Sequence, residues 1–352
     1  MIDNYSINGI QQIGIGVVDE KNSFNWYKQH FGMNIPILHD EGNADLMTLY
    51  TGGKSHKRRA TIAINLKGGS GFEIWQYVSR KSLPPEFELK LGDFGILITR
   101  MKCAQLDQSF HMFHHMNLTL HDKLLKTPLD ASTFFIKDPF GNMFQLCQCN
   151  EWYTKNQSLI GGPEGCIIGV SSIEKAKPLY MDILGYDQIL YDKTGIFEDF
   201  SVIPGGQSKI RRLLLTHSLK RQGAFSELLG QSYIELVELI NGQGKKIFQN
   251  RFWGDQGFIH LCFDVSHLNA LEHACNSKGI PFTINSMKSF DMGDASGQFC
   301  YIEDPDNTLI EFVETHKIPI IHSIGLKLNI QKRYSNKPIP KWLLNLLKFK
   351  AK

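Results

Sequence analysis

One pattern recurs four times along the 352 residues and limits what the chain can fold into: an apolar strand-like run, a helical stretch, then further strand-like runs. Its clearest copy opens with Phe258-Ile259-His260-Leu261-Cys262-Phe263-Asp264-Val265 and runs through a helical pattern over 268–278, stopped by Gly279 and Pro281. It closes with the turn Asp304-Pro305-Asp306-Asn307 and the strand Leu309-Ile310-Glu311-Phe312-Val313. His260 and Glu311 are polar residues inside runs that otherwise read as buried strand. A buried carboxylate needs a partner charge, a metal or several donors, and an imidazole and a carboxylate on neighbouring strands suit a metal.

The same order is legible elsewhere. Residues 8–18 read as a strand, followed by a helix over 23–31 in which Phe24, Tyr27 and Phe31 share one face, ended by Gly32. Strand-like runs follow at 44–50, 60–65 and 71–77. A second copy begins near Phe94 and ends in Asp138-Pro139-Phe140-Gly141-Asn142-Met143-Phe144-Gln145. A third begins at Gly165, has a helix over 173–184 made irregular by Pro178, and ends in Tyr233-Ile234-Glu235-Leu236-Val237-Glu238. The expected fold class is therefore α+β: four βαβββ modules, each pair forming a cupped, mostly antiparallel sheet with helices outside. The expected organisation pairs neighbours in the chain. Residues 1–150 form one half (modules about 5–80 and 90–150), 151–162 a linker, 163–318 the other half (modules about 163–242 and 256–316), and 319–352 a basic amphipathic tail.

A His on a first strand, a helix, then Asp-Pro-Asp-Asn-x-x-Ile-Glu-Phe on a last strand resembles a module of the vicinal oxygen chelate superfamily. That superfamily includes glyoxalase I, extradiol dioxygenases and bleomycin-resistance proteins, and its enzymes carry metal ligands on the first and last strands of each module. The resemblance implies these positions here: Gln12 and Glu73, Gly95 and Gln145, Gly165 and Glu235, His260 and Glu311. With neighbours paired, the C-terminal half holds one divalent metal ion (Zn, Ni, Co, Mn or Fe) on Glu235, His260 and Glu311. The N-terminal half, with Gln12, Glu73 and Gln145, is depleted and supplies pocket walls.

The reaction this implies is that of a metal-dependent isomerase, epimerase or lyase on a small oxygenated substrate, with Glu235 and Glu311 catalytic and Glu235 as the base. A non-haem iron dioxygenase is the alternative enzyme, but Gly165 stands where the first of its two His is expected. A metal-free ligand-sequestering protein is the alternative from another class.

Composition excludes more than it selects. A net charge of +3 gives no argument for nucleic acid, no apolar run is long enough for stable membrane insertion, and the first residues lack the basic-then-apolar order of a secretory signal. Seven cysteines without CxxC spacing are expected as reduced thiols of a cytoplasmic protein, for which a homodimer is left open. Glu238 and Glu314, three residues beyond ligand positions, are expected to be solvated. So are His111, His114 and His115 and the basic tip over 54–59. Asp291, Asp294 and Ser296 are expected at a pocket rim. The tail over 337–348 is expected to pack on its own domain or a partner, with a membrane surface as the lesser alternative.

Overall fold

The computed structural model describes residues 5–286, 290–291, 296–321, 326–330 and 337–350. All four units are present. Their opening strands are Ser6–Val17, Gly95–Cys103, Ile160–Gly169 and Gly257–Ser266, and their closing strands are Gly71–Tyr77, Met143–Gln148, Tyr233–Leu239 and Leu309–Ile321. In every unit the closing strand runs parallel to the opening one.

The pairing of units differs from the expected one. Hydrogen bonds join the first unit to the fourth in a ten-stranded sheet and the second to the third in an eight-stranded sheet. The opening strands supply both junctions, antiparallel in each case. Long connections allow the crossing: residues 78–94 leave the first unit's closing strand and 240–256 leave the third's, each carrying the chain from one sheet to the other. The shorter 149–159 segment joins two units of the same sheet. Closing-over of an open sheet edge needs only a complementary edge, and the edge used need not belong to the next unit in sequence.

Neighbours in the chain are tied by a different contact. The Asp138 carboxylate of the second unit's turn accepts from the hydroxyl of Tyr27, on the first unit's helix Glu20–Phe31, at 2.7 Å. Asp304 of the fourth unit's turn accepts from Tyr180 of the third at 3.0 Å. Each aspartate also takes backbone N–H groups of its own turn, Phe140 and Asn142 in one, Asp306 and Thr308 in the other. The Asp-Pro turns are thus buried anchors between sheets as well as hairpins. Around them the largest core cluster draws Phe31 and Phe72, Phe113 and Phe144, Cys166 and Ile234, and Phe263 and Phe312 from the four units in turn.

A second device repeats in all four units. The residue three beyond the expected closing-strand ligand position caps the N-terminus of its own unit's helix. Gln76 accepts from Glu20 N, Gln148 from Leu106 N, Glu238 from Ile173 N and Glu314 from His267 N. Glu238 and Glu314 are therefore helix caps, not solvated acids. The strand's alternation turns them away from the cup, and the parallel opening strand beside them ends at the helix start, whose unpaired N–H groups attract an anion.

Other local differences have simple causes. Residues 45–50 form a 3₁₀ turn, and the edge strand is Ile35–Asn43. Only Met47 of that turn is buried, so the apolar run lacks the alternation of a strand. The third helix starts at Ile173–Lys177 and widens into a π turn over Pro178–Ile183, since the proline lacks an N–H and displaces the carbonyl four residues back. Lys57, Arg58 and Arg59 lie on a strand and pair with Asp40 and Glu41 across it. The cysteines are free thiols, mostly buried. His111, His114 and His115 are exposed on their helix, as expected.

Burial pushes Asp304 up to about 6, above the 3.8 of a free aspartate. A carboxyl that holds its proton more tightly when folded favours the folded state at low pH, and that contribution is lost as pH rises through about 6. The stability of the protein relative to Asp304→Asn should fall by up to about 3 kcal/mol between pH 4 and pH 7, as read from denaturant melts of both proteins.

Candidate metal centre

Two adjacent rows of residues cross the sheet of the first and fourth units. In one row Glu311, Cys262 and Gln12 are neighbours on successive strands; in the other, His260, Gly14 and Glu73. The registers put all six on one face, and on the closing strand alternation sends Phe72 and Ile74 into the shared core while Glu73 and Trp75 line a cavity. His260 Nε2 lies 3.3 Å from Glu73 Oε2 and 3.2 Å from Glu311 Oε2. The ligand atoms of all three residues fall within 4.8 Å of one another.

Gly14 makes this convergence possible. A Cβ there would sit 2.5 Å from His260 Cε1 and 2.7 Å from its Nε2, so only glycine lets the imidazole lie across the opening strand. The Tyr301 hydroxyl, 3.4 Å from Nδ1, holds the other side of the ring.

The cluster concentrates negative charge around one imidazole. His260 and Glu311 are buried, yet His260 Nε2 and Glu311 Oε2 have no hydrogen-bond partner despite their closeness. Burial raises the Glu311 pKa, and the like charge of Glu73 adds to the rise. Burial opposes a charged His260, but Glu311 and Glu73 together hold its pKa above the ordinary value. Gln12, buried in the same cavity, has an Oε1 that also lacks a partner. One imidazole nitrogen and two carboxylates, converging without hydrogen bonds to each other and with the unpartnered Gln12 amide oxygen in the adjoining cavity, fit a divalent ion.

Glu235, expected here, stands in the other sheet. The registers there give the equivalent rows Glu235, Ile167, Ile98 and Gly165, Arg100, Gln145. Gln12 thus corresponds to Ile98, Glu73 to Gln145, His260 to Gly165 and Glu311 to Glu235. Arg100 occupies the place of Gly14. Its guanidinium donates to Gln145 at 3.0 Å, to Glu164 at 3.1 Å and to Glu235 at 3.4 Å. Glu235 also accepts from Arg212 at 2.5 Å and from the Tyr191 hydroxyl at 2.6 Å, and Arg212 bonds Asp199 on its other side. Burial alone would raise the Glu235 pKa, but Arg212 and Arg100 hold it below the usual carboxylate value. Where one cup leaves room for an ion, the other carries a tethered cation.

The error in the sequence reading thus lies in the pairing of units. His260 and Glu311 are together, Glu73 replaces Glu235, and Gln12 joins them from a unit read as depleted. A signal did exist: aligning Gln12-Ile13-Gly14 with Ile98-Thr99-Arg100 shows glycine in one unit and arginine in the other at the crossing. The cavity above the metal residues measures about 410 Å³. Its walls are mostly apolar, with Ile62, Trp75 and Phe299 from its own sheet, Trp253 from the 240–256 connection, Leu228 from the third unit and Leu347 from the tail. Ser296 lies on its wall, whereas Asp294 and the Asp291 side chain fall outside the described residues.

Residues 9–146 match the model of the Glyoxalase/Bleomycin resistance protein/Dioxygenase superfamily. No curated protein matches the sequence. Among solved structures, a putative dioxygenase from Bacillus subtilis is 13% identical at a TM-score of 0.55, over 88% of this chain and 86% of that one. Glyoxalase I from Zea mays is 11% identical at a TM-score of 0.52, over 87% of this chain and 92% of that one. At these identities the likeness is one of fold.

Two substitutions separate the cups. Gly14→Ala should abolish stoichiometric metal binding by displacing the His260 ring, measured by elemental analysis of the folded protein. Glu235→Ala should leave metal content unchanged and cost about 3–5 kcal/mol in denaturant unfolding, because it strands Arg212 and Arg100 in the interior.

Proposed function

We propose that this chain, a member of the Glyoxalase/Bleomycin resistance protein/Dioxygenase superfamily by its residues 9–146, is a divalent-metal-dependent isomerase, epimerase or lyase moving a proton on a small oxygenated substrate. Gln12, Glu73, His260 and Glu311 would hold the ion. The observation that carries the reading is the buried convergence of His260 Nε2 with two carboxylate oxygens that form no hydrogen bond with it.

When bound, a divalent cation in such a site polarises adjacent substrate oxygens and stabilises the negative charge that develops as a neighbouring C–H proton leaves. The residues divide the remaining work. His260, enclosed and held at Nδ1 by Tyr301, keeps a fixed ring orientation. The Glu311 side chain is 9% exposed and serves as an anchor, while Glu73, at 16%, borders the open cavity and is assigned as the base that removes and returns the proton. The apolar walls exclude water, which strengthens these interactions.

The donor set favours this over iron-dependent oxygen chemistry, since it offers one imidazole where the facial triad uses two. It also favours an enzyme over a metal-free binder, for which two adjacent carboxylates in an apolar cup would be only a cost.

Elemental analysis after reconstitution with Zn, Ni, Co, Mn and Fe in turn tests the centre. One equivalent of metal per chain is expected, lost in His260→Ala and Glu311→Ala. Glu73→Gln should retain most of the metal but slow exchange of the substrate's α-proton with deuterated solvent about 10²–10⁴-fold, across a panel of α-hydroxycarbonyl compounds. No metal above background in any reconstitution would remove the mechanism.

A further inference from the structure

The tail has two faces, and the site uses only one. Ile339, Leu344 and Leu347 are buried against Ile35, Ile64, Leu66 and Ile318, which fixes the helix Lys341–Leu344 and the 3₁₀ turn Asn345–Lys350 on the first sheet. The opposite face carries Trp342 and Phe349, which are 67% and 69% exposed. Among the described residues only Leu219, at 79%, is a more exposed large apolar side chain, and its neighbour Lys220 lines one cleft with Lys341. Lys220 has Glu227 at 3.8 Å, an exposed and weakly held pair. Lys337, Lys341 and Lys348 are also exposed.

Charge is distributed with the same asymmetry. No aspartate or glutamate occurs after Glu314, while eight lysines and one arginine do. Since the whole chain sums to +3, the preceding 314 residues sum to −6 and the last 38 to +9. Exposed aromatic rings flanked by lysines suit a surface that is negative outside and apolar beneath, where the rings sit at headgroup depth and the ammonium groups meet anionic headgroups. A nucleic-acid duplex would satisfy the lysines and leave Trp342 and Phe349 without a partner, since its base faces are stacked inside.

We infer that the outer face of the tail docks this protein on an anionic lipid surface through Trp342, Phe349 and the surrounding lysines. The docking is peripheral and reversible. The tail's leucines are already committed to the protein core, and no helix among the described residues is long and apolar enough to cross a membrane. Leu347 borders the metal-site cavity from the inner face, so one short segment touches lipid on one side and the cavity on the other. The inference stands independently of the metal reading.

Flotation with vesicles tests it. The 352-residue protein should float with phosphatidylcholine vesicles containing 30% phosphatidylglycerol at 0.1 M KCl, and not with phosphatidylcholine alone. Raising KCl to 0.5 M should weaken binding at least tenfold. Trp342→Ser with Phe349→Ser, and separately Lys341→Gln with Lys348→Gln, should each weaken it by a similar factor. All four residues are exposed, with the Lys341 ammonium also 4.9 Å from the Tyr153 ring, and circular dichroism of each double variant should match the parent. Should either variant misfold, brominated lipid gives a second readout on the parent: it should quench Trp342 fluorescence, with Trp342→Phe as the control. Equal binding to neutral and anionic vesicles, unaltered binding by folded variants, no binding at low salt, or binding of duplex DNA or RNA without vesicles would each overturn the proposal.

Discussion

The site depends on the crossing of two opening strands at Gly14 and His260. The antiparallel register there brings Gln12 opposite Cys262, and the parallel neighbours add Glu73 on one side and Glu311 on the other. Four polar groups from widely separated parts of the chain thus face one space, which no single unit can enclose. Gly14 matters because it is absent as a side chain: the ring of His260 lies where any Cβ would stand.

The second sheet solves the same geometric problem in another way. Its crossing carries Arg100 in place of glycine, and the guanidinium bonds the two residues, Gln145 and Glu235, that correspond to Glu73 and Glu311. Buried carboxylates are tolerated only when neutralised. One cup meets that demand with residues arranged for an ion, the other with Arg100 and Arg212 built into the chain. A tethered cation cannot exchange ligands, so the second cup is closed by its own side chains, whereas the proposed function places an exchangeable ion in the first.

Contacts between the sheets make these two cups one molecule. Tyr27 with Asp138 and Tyr180 with Asp304 bind the helices of the first and third units to the turns of the second and fourth, across the boundary between sheets. The third unit also places Leu228 in the wall of the first cup, and the tail adds Leu347. The cavity is consequently assembled from three of the four units and the tail. A segment on its own would leave those apolar side chains in water.

The sequence by itself determined the repeat, the four βαβββ units, the helix stops and the closing-strand ligand positions, but it gave Gly95 as the second unit's opening position where the register puts Ile98. Local periodicity and turn chemistry act over ten to twenty residues, and both are visible in runs such as 258–265 and 304–313. It was also enough to single out His260 and Glu311, since polar residues in otherwise buried strands require a partner. Only the tertiary structure decided which units share a sheet. That choice set Glu73 and Gln12 beside His260 and Arg100 beside Glu235, while packing within each unit placed Glu238 and Glu314 on helix ends. The physical reason is that strand pairing is made by complementary edges of similar composition, separated by more than 240 residues between Gly14 and His260, and no local pattern distinguishes one compatible edge from another.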